Sequence, residues 1–230
     1  KKANIASITF SPDGKRIACL VPYERRSNLA VIDLERKTKN LLTNFKDNNV
    51  GSILWASNDR LIFTKDSDGQ EWSAVYAIDH DGRNGTMLVS GANEADTSRS
   101  TNGQFRGLLA RLPDDPQNIL VLGKLSGAEG PDVCRMNLKT GRMTIVVENP
   151  GWVRRWVLDR RQRVRLGVSE KGLATTILLR NLEKGTWETL HSRESDGAGW
   201  TPLEFDGDDR TLFVSSRVGR RTAAVFRYDV

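Results

Sequence analysis

Phe10-Ser-Pro-Asp-Gly-Lys-Arg-Ile-Ala-Cys-Leu-Val21, with Asn28-Leu-Ala-Val-Ile-Asp33 behind it, holds the pattern on which the whole chain turns. An aromatic residue leads into a compact turn, an apolar strand, a polar connection and a second apolar strand, which ends at an Asp that opens another turn. Working outward, the same order recurs. Apolar runs that follow such a turn begin near Ile17, Leu61, Ile119, Val164 and Leu212, at spacings of 44, 58, 45 and 48 residues. The partner runs end at Asp33, Asp79, Asn137, Asn181 and Asp229, at spacings of 46, 58, 44 and 48. Two independent landmarks keep one rhythm. The long interval contains the polar stretch Ser90 to Gly107, which reads as an inserted loop.

A period of about 45 residues with four short strands per unit predicts the blades of a β-propeller. Ser11-Pro12-Asp13-Gly14, Ser57-Asn58-Asp59, Asp114-Asp115-Pro116 and Asp206-Gly207-Asp208-Asp209 supply Gly, Asn or Asp where positive φ or an Asx turn is required. Runs such as Ile119-Leu-Val-Leu122 and Ile177-Leu-Leu179 are apolar on both faces, as strands covered from both sides must be. The expected fold is all-β: about five blades at approximately 1–45, 50–90, 106–148, 151–192 and 200–230, one propeller domain over residues 1–230, part of a seven-bladed whole. Fourth strands are expected at Asn40 to Thr43, Thr86 to Val89, Met143 to Val147 and Thr186 to Leu190. The fifth unit stops at Val230 as its third strand finishes, so more blades are expected to follow.

Composition narrows the function classes. The chain has 230 residues, 38% of them hydrophobic and 28% charged. No apolar run approaches the roughly 18 residues of a membrane-spanning helix. Cys19 and Cys134 sit in apolar runs and read as buried small hydrophobes. His80 and His191 are the only histidines, each beside a turn or strand end, which leaves general bases and metal ligands scarce. The net charge is +6, and arginines cluster at Arg154 to Arg165 and Arg217 to Arg221. No stacking platform or helix-turn-helix accompanies them, so nucleic acid is not expected as a partner. Arg161, Arg163 and Arg165 alternate with apolar neighbours and are expected on the solvent face of an edge strand.

Ala6 to Ala18, Asn28 to Asp33, Val50-Gly-Ser-Ile-Leu-Trp-Ala-Ser-Asn-Asp-Arg-Leu-Ile-Phe63, Asp132 to Gly141, Val147 to Gly151 and Leu203 to Ser216 together resemble bacterial members of the prolyl oligopeptidase family of serine peptidases. The likeness is to the propeller that precedes the hydrolase domain in the acylaminoacyl-peptidase and dipeptidyl-aminopeptidase branch. The resemblance implies a propeller that caps an α/β-hydrolase, limits entry to short or unfolded peptides and helps hold the substrate terminus. Its expected partners are a C-terminal hydrolase domain of the same parent chain and peptide substrates, in the bacterial cytoplasm or periplasm. The nucleophile would stand on a Gly-x-Ser-x-Gly elbow; no residue here matches it. No catalytic residue, cofactor or metal is therefore assigned to this chain, and by itself it is not expected to hydrolyse anything.

The connections between second and third strands are expected to open on one face, at Pro22 to Asn28, Asp66 to Trp72, Ser126 to Asp132, Glu170 to Ala174 and Arg217 to Arg221. From these, Tyr23, Glu24, Arg25, Glu71 and Trp72 are the candidate substrate-gating residues. Asp66-Ser-Asp-Gly-Gln-Glu71 alternates oxygen ligands but lacks the rest of a calcium loop. Phe10, Trp55, Trp156 and Phe205 hold equivalent places before the turns and are expected to pack between blades. The alternative is a free-standing, TolB-like propeller that acts as a protein-binding scaffold. A hydrolase or lyase with its site in a central channel is the weaker third reading, for want of clustered His or carboxylates.

Overall fold

The structure, a computed structural model, describes residues 5–66, 74–90, 104–194 and 199–230. Its described secondary structure consists of nineteen strands, without a helix, in five sheets. β1 (Ala6–Phe10), β2 (Arg16–Tyr23), β3 (Arg26–Asp33) and β4 (Thr38–Leu41) form the first. β5 (Val50–Trp55), β6 (Arg60–Lys65), β7 (Ala74–Asp79) and β8 (Thr86–Val89) form the second. The third holds β9 (Phe105–Arg111), β10 (Asn118–Gly123), β11 (Asp132–Asn137) and β12 (Met143–Val147). The fourth holds β13 (Val153–Leu158), β14 (Val164–Lys171), β15 (Ala174–Arg180) and β16 (Trp187–Arg193). The fifth has three strands, β17 (Trp200–Phe205), β18 (Thr211–Ser216) and β19 (Ala224–Asp229). Neighbours in sequence are neighbours in each sheet. The second strands start within one residue of the positions read from the sequence.

The turns explain why Asp and Asn mark the rhythm. Asp33 Oδ1 accepts the N–H groups of Glu35 and Arg36 at 3.1 and 2.8 Å. Asn137 Oδ1 accepts those of Lys139 and Thr140, and Asn181 Oδ1 those of Glu183 and Lys184. Each is an Asx turn that reverses the chain between third and fourth strands. The turn after the first strand uses the same device: Ser57 Oγ accepts from Asp59 and Arg60, and Asp159 Oδ1 from Arg161 and Arg163. At Asp208 the N–H groups of Thr211 and Arg210, with the Thr211 hydroxyl, draw the carboxyl down to about 2.

Second and third strands pair without a slip in β2–β3, β6–β7, β14–β15 and β18–β19. First strands do not. Every one of the five is bulged against its second strand, as at Ala6/Thr9, Val50/Ile53 and Pro202/Glu204. A bulge adds local twist and bends the strand.

By its internal contacts the chain forms two compact units, Lys1–Lys124 with Val133–Val146, and Leu125–Asp132 with Val147–Val230. In the first, Ala18, Leu20, Leu29 and Val31 of the first sheet pack on Val50, Trp55, Leu61 and Phe63 of the second. In the second, Val157, Leu166 and Ile177 meet Phe205, Leu212 and Val214. Burying each such side chain stabilises by roughly 1.5–3 kcal/mol. Cys19 and Cys134 are buried, and neither forms a disulfide among the described residues.

Two expectations need correction. Phe10 does not pack like its counterparts. Trp55, Trp156 and Phe205 are buried, whereas Phe10 is 60% exposed, because no described sheet lies against that side of β1. Arg161, Arg163 and Arg165 do not share the solvent face of an edge strand: Arg165 belongs to β14, which has a neighbour on each side, while Arg161 and Arg163 precede it in the turn and remain exposed. Arg163 grips the fully buried Asp159 carboxylate at 2.7 Å. Arg165, 13% exposed, donates to the Asp209 carbonyl at 2.8 Å and lies 4.8 Å over the Phe205 ring. These arginines join the fourth sheet to the fifth.

Because strands alternate in direction, connections after first and third strands fall at one end of a sheet, the turn end. Those after second strands and between sheets fall at the other, the loop end. At the turn end of the first unit, Gly141 (φ +72°) lies so close to β8 that an added Cβ would overlap the Leu88 carbonyl oxygen, whereas Gly14 (φ +71°) faces open space. Gly14→Ala is expected to cost about 1 kcal/mol from its backbone alone. Gly141→Ala should cost about 3 kcal/mol or more, since backbone must also move. Urea denaturation of the two variants measures the difference.

Candidate functional site

Tyr23, Glu24 and Arg25 come together at the loop end of the first sheet, in a tighter arrangement than the expected Pro22 to Asn28 loop. The ladder extends through Pro22↔Ser27 and Tyr23↔Arg26, so the connection is Glu24 and Arg25 alone. Both have positive φ, 46° and 68°, the two-residue hairpin geometry whose twist matches the flanking strands. Tyr23 belongs to β2 and is half-buried, while Glu24 and Arg25 are exposed. Glu24 lies 3.4 Å from Lys46 Nζ, and Arg26 Nε donates to the Lys46 carbonyl at 3.2 Å. Glu71 and Trp72 lie outside the described residues, as does most of Asp66 to Glu71.

The hairpin is held from below by the buried amide of Asn28 and the half-buried amide of Asn49. Asn28 Oδ1 accepts from Phe45 N and Thr43 Oγ1 at 2.7 and 2.9 Å, and its Nδ2 donates to the Phe45 carbonyl at 3.0 Å. Asn49 Oδ1 accepts from Ser27 N. The Asn49 N–H and Nδ2 donate to Asp66 at 2.6 and 3.0 Å, so this carboxylate is occupied within the fold. The connection from β4 to β5 is thereby pinned beneath the tip.

The loop end of the second unit repeats the design. Asp132 is buried and accepts four hydrogen bonds, from Leu125 N, Ser126 N and Asn149 N at 2.9 Å and from Ser126 Oγ at 2.7 Å. Asn149 Nδ2 donates to the carbonyls of Pro131 and Val153, and its Oδ1 accepts from Gly151 and Val153. Trp156 Nε1 also donates to Pro131, at 3.1 Å. The sequence reading passed over these pins. Their signal is a polar residue before or just inside an apolar run: Asn28 and Asp132 at third strands, Asn49 and Asn149 before first strands.

Two hollows open at turn ends. One, of about 480 Å³ in the first unit, lies between Arg60, Thr86, Pro116, Gln117, Leu138 and Lys139. The Arg60 guanidinium in it is held by Asp79 at 2.6 Å. Another, of about 630 Å³ in the second unit, gathers Arg161, Arg163, Arg180, Asp208, Asp209 and Arg210. His80 stands 3.4 Å from Asp59, and His191 stacks on Trp200 at 5.2 Å.

No family model matches the chain. Over 98% of its length it is 23% identical to dipeptidyl aminopeptidase BIII of Pseudoxanthomonas mexicana, of which it spans about a third, 32%. Among solved structures, dipeptidyl peptidase 4 of Porphyromonas gingivalis aligns with 98% of this chain and 38% of its own, at TM-score 0.61 and 15% identity. TolB from Acinetobacter baumannii aligns with 98% of this chain and 55% of its own, at TM-score 0.58 and 18% identity. The two structural likenesses establish the fold: the sheets are blades of a β-propeller. With them, the sequence match makes the chain a homologue of a bacterial dipeptidyl aminopeptidase over that stretch, as residues 6–18 and 50–63 suggested.

Burial opposes ionisation of Asp132, yet the hydrogen bonds from Asn149, Ser126 and Leu125 hold its carboxyl below the ordinary 3.8. A carboxyl lowered by folding contributes fully above its unfolded pKa and loses that contribution as pH falls through its folded value. Asp132→Asn should therefore cost about 2 kcal/mol near pH 7. The gap from the unaltered chain should narrow as pH is taken below about 4. Urea titrations at pH 7 and pH 3 compare the two proteins.

Proposed function

We propose that the chain is the propeller part of a serine peptidase, that it restricts which peptides reach a hydrolase domain of the same parent protein, and that it helps seat the substrate terminus. The observation that carries this reading is the match along almost the whole chain to a dipeptidyl aminopeptidase about three times as long. The catalytic serine, its base and the oxyanion donors would belong to the remainder of the parent. This chain's part is steric and electrostatic. Glu24 and Arg25 stand on a two-residue tip with little freedom, tied through Asn28 and Asn49 to the next connection. A carboxylate so placed can exchange its exposed Lys46 partner for a peptide's terminal ammonium, since a surface ion pair is worth at most about 1 kcal/mol. Tyr23 supports the tip from β2, and Glu71 and Trp72 remain proposed members of the gate.

The parent protein should label with a serine-reactive fluorophosphonate and release dipeptides from the amino termini of short peptides. Residues 1–230 alone should do neither. In the parent, Glu24→Gln is expected to raise KM for a dipeptide substrate about tenfold with kcat within about twofold. A parent that does not label overturns the peptidase reading. One that labels but keeps its KM after Glu24→Gln removes Glu24 from the gate.

A further inference from the structure

A further hollow, of about 690 Å³, lies on the third sheet within the first unit. Its walls come from the start of β10, from β11, and from the turn and strand that follow, Lys139 to Thr144. Three of the lining side chains are cations, Arg135, Lys139 and Arg142, and none is a carboxylate. The hollow of the second unit is made otherwise: its arginines share the walls with Glu183, Glu188, Asp208 and Asp209. In the other hollow of the first unit, Arg60 is already held by Asp79 at 2.6 Å.

The fold makes few demands on these three cations. Asp115 lies 3.6 Å from Arg135 Nη1, past hydrogen-bond length, and both its oxygens already accept from Asn118 Nδ2, at 2.8 and 2.9 Å. Lys139 and Arg142 meet no carboxylate and donate no side-chain hydrogen bond among the described residues. Single unmatched cations are ordinary on a surface. Here three share one hollow, and Arg135 departs from the repeat. Two residues before the one that opens the turn, other sheets carry Val31 and Ala77, which are buried, and Leu179, which packs in an apolar cluster. The fifth sheet carries Arg227, which donates to Asp206 at 3.3 Å. In the third sheet the place goes to Arg135, exposed and facing the hollow.

The backbone that presents the other two is fixed. Asn137 Oδ1 accepts from the N–H groups of Lys139 and Thr140 and from the Thr140 hydroxyl, and the Gly141 N–H donates to the Asn137 carbonyl at 2.8 Å. Gly141 also abuts the Leu88 carbonyl, where a Cβ has no room. Like charges gathered on such a frame repel one another until an anion with several oxygens lies among them. Two guanidinium forks and an ammonium suit a tetrahedral dianion better than a lone carboxylate. Thr144, exposed on β12 in the same wall, offers a hydroxyl.

We infer that this hollow binds a phosphate group, carried on a small ester or as the free ion, with Arg135 and Arg142 pairing with its oxygens and Lys139 adding charge.

Calorimetric titration of the parent protein tests it, with inorganic phosphate and methyl phosphate as probes and sodium chloride holding the ionic strength constant. Phosphate is expected to fill one site, and acetate, with a single charge, to bind about tenfold more weakly or less. Arg135→Gln and Arg142→Gln should each weaken phosphate binding about tenfold. Arg160→Gln, at an exposed arginine of the second unit, should leave it within about twofold. Methyl phosphate that binds as tightly as inorganic phosphate makes an ester the ligand, and its exclusion makes the ligand the free ion. No saturable binding of either probe, acetate binding as tightly, or an affinity unchanged in both Gln variants would overturn the inference. The urea midpoint of each variant, expected to be unchanged because both side chains are exposed, keeps a lost site distinct from a lost fold.

Discussion

None of these sheets can cover its own faces. β6 and β10 are apolar on both sides, and Leu61, Ile62, Ile119 and Leu120 are all removed from solvent. A strand of that kind is stable only with a layer on either side. The constraint accounts for much of the rest. Sheets must follow one another at a fixed interval, turns must be short, and the first strands, which adjoin from sheet to sheet within each unit, must twist enough to let the next sheet lie flat. The bulges in all five first strands answer that last need. Gly51 and Pro202 show it locally. A Cβ at Gly51 would crowd Thr64 Oγ1, to which Ser52 N donates, and Pro202 brings no N–H to a ladder already slipping there.

Polar residues then divide the labour between the ends. At the turn end, aspartates take both roles of closing a turn and neutralising an arginine. Asp159 accepts from the backbone with Oδ1 and from Arg163 with Oδ2. Asp33 closes the turn before β4 and faces Arg16 across the ladder at 3.6 Å. At the loop end the buried Asn28, Asp132 and Asn149 and the half-buried Asn49 are spent on holding connections in place. The side chains above them are left to vary in chemistry without loss of the frame.

Much of the fold could be read from the residues because the repeat is written twice, in apolar runs and in the Asp or Asn that ends them. Asp33, Asn137 and Asn181 proved to be Asx-turn residues, so the landmark was a physical necessity. What escaped was whatever depends on register or on a partner distant in sequence. Tyr23 read as a loop residue because nothing local says that the ladder continues past Pro22. Arg161, Arg163 and Arg165 read as a solvated face because their alternation fits an edge strand equally well. Asp209, the residue that decides otherwise, is more than 40 positions away. The candidate gating residues were legible only as a place: Glu24 and Arg25 lie between second and third strands, where the spacing of apolar runs put a connection, but the amides that stiffen the tip carry no motif.

The stiffness of that place bears on how a propeller can discriminate among peptides. A long flexible loop would close on many substrates and lose affinity for each through ordering, at about 0.5–1.5 kcal/mol per immobilised side chain. Glu24 and Arg25 have almost no loop to order. The two residues span the turn between paired strands, and Asn28 fastens the third strand to the neighbouring connection within three residues of the tip. In the function proposed above, selection at such a tip would come from what cannot fit or cannot pair. A residue pair in the left-handed region, costing about 1–2 kcal/mol per residue, suits a position where geometry matters more than local stability.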